Sequence, residues 1–127
     1  MITDAEVATM IPAKDLERTR RFYEDVLGFT PDRDEPGAIS YRTGGGRFNL
    51  YETEFAGTAQ RTLIGWLVDD IDAAVRDLAN RGVSFESYAM PGLNTDERGI
   101  ADMGSERAAW FKDPEGNLLS VWKKPKA

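Results

Sequence analysis

The reactive side chains in this sequence are few in kind. Its 127 residues include no histidine and no cysteine. The usual general base near neutral pH, the commonest transition-metal ligand and every thiolate are therefore missing. Any catalysis must use carboxylates, tyrosine, lysine, hydroxyls or backbone. Near the end of the chain, "FKDPEGNLLSVWKK" sets Leu118, Ser120 and Trp122 at alternate positions. Alternate residues of a strand share a face, so a hydroxyl stands between a leucine and an indole on a face that is neither plainly core nor plainly solvent. Proton-transfer chemistry at such a face would need a titratable group beside it. Tyr51, Glu52, Asp96 and Asp102 are the candidates, and no pair among them is fixed by spacing. Asp and Glu side chains, above all those of the acidic loop "NTDERGIADMGSE", could hold only Mg²⁺ or Ca²⁺, through oxygen alone.

Two helical segments must position these groups from outside a sheet. In "KDLERTRRFYEDVLGF", Asp15 suits an N-cap, Leu16, Tyr23, Val26 and Leu27 recur at helical spacing, and Gly28 suits the left-handed position that ends a helix. "DDIDAAVRDLANRGV" repeats the pattern, with Asp70 as cap, Ile71, Ala74, Val75 and Leu78 as the apolar stripe, and Gly82 as the stop. Each helix follows a strand-like run, "VATMIP" or "TLIGWLV", and precedes a hairpin, "AISYRTGGGRFNLYE" or "RAAWFKDPEGNLLSVW". The "GGG" and "DPEG" clusters are the turns. This order predicts an α+β fold of two βαβββ repeats, about 5–54 and 60–124, in a single domain over 1–127.

The register of the repeat can be counted. Asp15 maps on Asp70 at an offset of 55, Gly28 on Gly82 at 54, and Ala38, Gly45 and Leu50 on Ala109, Gly116 and Val121 at 71. The step from 54 to 71 predicts 17 inserted residues within "SYAMPGLNTDERGIADMGSE". A long polar insertion in a small domain is often functional. One repeat is too small to bury its sheet alone, so the two should pair around a shared interior.

Charge and hydropathy narrow the partners. A net charge of −6 and a pI near 4.7 disfavour nucleic acid and anionic membranes, which need a positive field, and mildly favour a cationic partner. No run approaches the roughly 20 apolar residues of a membrane span, and "MITDAEVATM" lacks a basic segment leading into a long apolar one. A soluble, cytoplasmic protein is expected. The run "ERTRR" and the tail "KKPKA" read as a solvated helix face and a loose end.

The element order, together with "DLERTRRFYEDVLGF", "VDDIDAAV" and "FKDPEGN", resembles the vicinal oxygen chelate superfamily, which includes glyoxalase I, extradiol dioxygenases, fosfomycin-resistance enzymes and bleomycin-binding proteins. "MPGL" and "AAWFKDPEGN" are similar to a bacterial branch of glyoxalase or bleomycin-resistance proteins. The resemblance implies eight strands cupped around a cavity, helices outside, and a homodimer. It also implies one metal ligand on each of four strands, usually His or Glu. The matching positions here are Ala8, Asn49, Leu63 and Ser120, and a slip of one residue on the early strands would offer only Val7, Thr9, Thr62 or Ile64. No carboxylate or imidazole is among them, so neither the family's metal nor another cofactor is expected.

By strand alternation, the implied cavity should receive Met10, Asn49, Tyr51, Leu63, Gly65, Leu118, Ser120 and Trp122, plus either Trp110 or Phe111. The insertion would act as a lid, with Met90, Leu93 and Asn94 meeting the ligand. The expected function is binding or sequestration of an aromatic or cationic organic molecule in a metal-free cavity. The alternative is a lyase, isomerase or dioxygenase of the same superfamily, metal-independent or with an atypical metal.

Overall fold

The computed structural model describes residues 2–4, 8–58, 62–104 and 106–123. Val7 and the tail residues 124–127 lie outside these segments. In chain order the strands are β1 (Ala8–Ala13), β2 (Pro31–Glu35), β3 (Ala38–Thr43), β4 (Gly46–Glu52), β5 (Thr62–Val68), β6 (Ala89–Met90), β7 (Leu93–Asn94), β8 (Ile100–Asp102), β9 (Arg107–Lys112) and β10 (Leu118–Lys123). They form two four-stranded mixed sheets, in the orders β1-β4-β3-β2 and β5-β10-β9-β8, and the small hairpin β6-β7. Strand β1 runs parallel to β4 and β5 parallel to β10, and the other neighbours are antiparallel. The fold is thus α+β, with two βαβββ repeats and a hairpin added to the second. Among the described residues, no helix is long and apolar enough to cross a membrane.

Helix α1 (Leu16–Arg21) starts where Asp15 Oδ1 accepts the Arg18 amide at 3.0 Å, and α2 (Ile71–Asn80) where Asp70 Oδ1 accepts the Ala73 amide at 3.0 Å. Gly28 and Gly82 follow the helices at φ 89° and 96°, the left-handed conformation that ends them. Helix α1 continues as a π-helical turn over Phe22–Val26, in which the Leu27 amide donates to Phe22 O at 3.0 Å. A π-turn takes in one extra residue. That residue is why the offset between repeats falls from 55 at the caps to 54 at the stops.

Strand pairing corrects the later register. Ala38 pairs with Tyr51, whereas Trp122, the counterpart of Tyr51 at an offset of 71, pairs with Ala108 rather than Ala109. Residues 43–46 separate the pair Arg42–Arg47, whereas residues 113–117 separate Lys112 from Leu118. The second hairpin is therefore one residue longer, and the third strand of each repeat matches at 70. Strand β8 matches β2 at 66, since Asp34 pairs with Ile39 and Ile100 with Ala109. Hence 12 of the 17 inserted residues precede β8, four lie between β8 and β9, and one lies in the last turn.

One core joins both repeats. Ile11, Tyr23, Ile39, Tyr41, Phe48 and Leu50 meet Ile71, Val75, Phe111, Leu119 and Val121. Trp66 of β5 stacks on Phe29 at 5.7 Å and on Phe111 at 6.4 Å. The shared interior is therefore on the helix-bearing side of both sheets. The opposite faces turn outward, leaving Met10 50% and Leu67 63% exposed.

The "DPEGN" turn clamps this arrangement. Buried Asp113 accepts from Tyr23 Oη and from Asn117 Nδ2, both at 2.9 Å, and Asn117 Nδ2 also donates to Pro12 O of β1 at 2.8 Å. The Glu115 carboxylate accepts from the Asp15 amide at 2.7 Å and from Thr19 Oγ1 at 3.1 Å.

The insertion is tied to α2 by Asp72, which accepts from Arg107 at 2.9 and 3.0 Å and from Arg98 at 2.6 Å. Hydrogen bonds from Arg107 and then Arg98 hold its carboxyl well below the usual carboxylate range. A depressed folded pKa adds stability that is complete above the ordinary aspartate value and is lost as pH falls toward the folded value. The groups are half-exposed and screened by solvent, so Asp72→Asn should move the urea unfolding midpoint little. Amide exchange over residues 96–102 should nonetheless quicken. Unchanged exchange there would show that the ion pairs do not hold the insertion.

Candidate functional site

The predicted site residues fall into two groups, one on the outer face of each sheet. On the first sheet, Met10 stands opposite Asn49 in the β1–β4 register. Asn49 Nδ2 donates to Met10 Sδ at 3.3 Å, and Ser40 Oγ donates to Asn49 Oδ1. Tyr51 follows two residues along β4 on the same face. This wall is polar and open.

The second group is aromatic. Ser120 is fully buried, and its hydroxyl is used twice: Trp122 Nε1 donates to it at 2.7 Å, and it donates to Ile64 O at 3.2 Å. Gly65 on β5 makes this possible. A Cβ at Gly65 would stand 3.0 Å from both Ser120 Oγ and Trp122 Cδ1, so a bare backbone leaves room for the indole to lie over the hydroxyl. Trp110 pairs with Ser120 across the ladder, and its ring lies 5.7 Å from both Trp122 and Tyr88, edge to face. Phe111, the other candidate, faces the core. Leu118 and Leu93 pack into the same cluster, while Met90 and Asn94 are exposed at the insertion hairpin. Leu63 sits at an irregularity of β5, between the pairs Thr62–Leu118 and Ile64–Leu119.

Among the described residues, no hydrogen bond or ring contact joins the two groups within one chain. Hydrogen bonds and ring contacts of Met10 and Asn49 stay on the first sheet, and those of Ser120, Trp110 and Trp122 stay on the second. An open groove of about 650 Å³ lies between the sheets, lined by Thr9, the hairpin residues 43–47 and Ile64, Gly65, Trp66 and Leu67. Tyr88 was not foreseen from the sequence, because it lies in the aperiodic insertion, where no alternation marks a face.

The residues at the family's metal positions do not fit a metal. Ala8 and Leu63 carry no donor, and the Asn49 and Ser120 oxygens already accept hydrogen bonds from neighbouring side chains. Among the described residues, no three acidic side chains converge. The proton-transfer candidates are also dispersed. Asp96 accepts from the Arg98 and Ile100 amides at 2.8 and 3.0 Å and closes its own loop, Asp102 accepts from the Gly104 amide at 3.1 Å, and Glu52 is exposed at the end of β4.

Ser120→Ala should cost about 1–3 kcal/mol, because the Trp122 indole N–H loses its acceptor in a half-buried place. Urea unfolding together with the tryptophan emission maximum checks this. A stability equal to that of the unaltered chain would mean that the bond contributes nothing.

The architecture has many solved counterparts. It matches UcmS2 with a TM-score of 0.74 at 17% identity, covering 94% of this chain and 98% of that one. A glyoxalase/bleomycin resistance protein/dioxygenase from Alicyclobacillus acidocaldarius matches at 0.70 and 20%, with 95% and 92% covered. TnmS3, an antibiotic binding protein from Streptomyces sp. CB03234, matches at 0.63 and 22%, with 99% of each chain covered. These likenesses are of fold. No curated protein sequence matches the chain. The sequence itself fits the family model over residues 7–121, and with both repeats inside that span the chain belongs to the Glyoxalase/Bleomycin resistance protein/Dioxygenase superfamily.

Proposed function

We propose that the protein binds a small, flat organic molecule, aromatic or cationic, in a metal-free cup that two copies of the chain complete. The observation that carries this reading is the cluster Trp110, Trp122 and Tyr88, set edge to face on the side of the second sheet that turns away from the core. Aromatic walls stack planar ligands and attract cations. The polar face carrying Asn49 and Tyr51 would supply the opposite wall from a second copy, since each chain turns its two faces apart. Association would also cover Met10 and Leu67, both exposed on one chain. Membership of a superfamily that includes bleomycin resistance proteins, and the likeness to an antibiotic binding protein, point the same way. The insertion, which packs Leu93 on the aromatic cluster, is then a rim of the cup.

Titration with proflavine, read by quenching of tryptophan emission, tests the reading. Saturable quenching is expected, at least tenfold weaker in Trp122→Ala. Sedimentation should give twice the 14.2 kDa chain mass, reduced to one chain in Leu67→Glu with loss of quenching. An absence of saturable quenching would remove the aromatic wall from the site, and a monomer that binds proflavine as well as the dimer would remove the second copy.

A further inference from the structure

A second pocket lies on the helix-bearing side of the second sheet, on the opposite face from Trp122. Its volume is about 390 Å³, and it sits between α2 and the insertion, lined by Val75, Ala79, Val83 and Phe85 and rimmed by charged side chains. Two of the rim charges, Asp72 and Arg98, are bonded to each other at 2.6 Å. The other two, Arg76 on α2 and Glu97 on the facing loop, have no hydrogen-bond or ion-pair partner among the described residues.

The first repeat provides an internal comparison. At an offset of 55, Val75 corresponds to Arg20, which pairs with Asp34 at 2.8 Å and with Glu24 at 3.0 Å, while Tyr41 Oη donates to Glu24 at 2.7 Å. By strand register, Asp34 and Tyr41 correspond to Ile100 and Phe111. The first repeat thus fills the space between helix and edge strand with an ion-pair plug. The second replaces the plug with the buried residues Val75, Ile100 and Phe111, and the pocket opens beside them, between Val75 and Ala79 of α2 and the inserted loop. A volume of this size lies within the range of small-molecule sites, where an apolar floor and a few convergent polar groups are the usual composition.

We propose that this pocket is a second small-molecule site, independent of the cup, and that it takes a compact zwitterion with an apolar body, such as a free amino acid with a large apolar side chain. Its carboxylate meets Arg76, its ammonium group meets Glu97, and its side chain covers Val75, Ala79, Val83 and Phe85. Arginine suits the carboxylate because its planar fork matches two oxygens.

The test is titration of the whole protein with L-phenylalanine, with 3-phenylpropionate and phenethylamine as single-charge controls, followed by amide NMR shifts. Saturable shifts are expected at residues 75–85 and 97–99, with an affinity for phenylalanine at least tenfold above that for either control. Arg76→Ala should weaken binding at least tenfold, and Ala79→Trp should abolish it by filling the pocket. The affinity for proflavine should be unchanged in both variants, so failure here and failure of the cup read out separately. Equal affinity for all three compounds, an absence of saturable shifts, or binding that survives Ala79→Trp would overturn the proposal. Should Ala79→Trp fail to fold, Arg76→Ala and the two control compounds decide the outcome.

Discussion

Asp113→Ala is expected to lower the stability of the protein by about 2–4 kcal/mol, the order expected for orphaning two buried hydrogen-bond donors. The carboxylate is 5% exposed and accepts four hydrogen bonds, from Tyr23 Oη, Asn117 Nδ2, and the amides of Glu115 and Asn117. Tyr23 is fully buried and Asn117 nearly so, so truncation leaves two buried side-chain donors without their acceptor. An orphaned buried donor costs about 1–3 kcal/mol, and the turn loses two backbone anchors besides. The effect should not stay local. Asn117 reaches Pro12 O on β1 while Tyr23 lies on the helix turn of the first repeat, so the network joins the two repeats. Asn117→Ala keeps the carboxylate with its Tyr23 partner and should cost less than Asp113→Ala. Urea unfolding of both variants measures the order. A reversed order would place the energy of the clamp in the amide and not in the carboxylate.

Much of this architecture can be read along the chain because local chemistry dictates it. Asp15, Asp70, Gly28 and Gly82 sit where their caps and stops require, and the βαβββ order follows from them. Alternation places Ser120 with Trp122 and Asn49 with Tyr51, since period two is a property of the single strand. What alternation cannot convey is which side of a sheet meets the other repeat. A cup inside one chain and two faces turned apart have the same pattern of alternate residues. The difference lies in contacts such as Trp66 between Phe29 and Phe111, far apart in sequence.

The one-residue error at Ala109 has a similar origin. Both hairpins carry glycine in the turn, and turn length shows only once the strands pair. Ser120 is a different case, because the signal was present. A glycine at position 65, which β-sheet register places beside Ser120, marks close approach of another group, and that group is the Trp122 indole. The ion-pair plug at Arg20 was legible only in part: "ERTRR" reads as a solvated helix face, yet Arg20 pairs with Glu24 one turn along its own helix and with Asp34 of β2, far off in sequence.

Gly57→Ala should cost about 2–4 kcal/mol, from two causes that a matched control separates. Gly57 has φ 78°, a conformation that costs an L-residue about 1–2 kcal/mol. Gly37 has φ 82° with nothing within 4 Å of a Cβ built there, so Gly37→Ala should show that backbone cost alone. At Gly57 the same Cβ would lie 2.3 Å from the carbonyl oxygen of Glu115. That oxygen belongs to the backbone and cannot swing aside as a side-chain end would, so the loop after β4 and the turn between β9 and β10 must separate. The turn is the one that holds Asp113 and Asn117. Because both changes strain one clamp, Gly57→Ala combined with Asp113→Ala should cost less than the sum of the two alone. Urea unfolding of the four chains in this cycle, with Gly37→Ala beside them, decides the matter. A Gly57→Ala chain no less stable than Gly37→Ala would show that the close approach of the two loops contributes nothing to holding the repeats together.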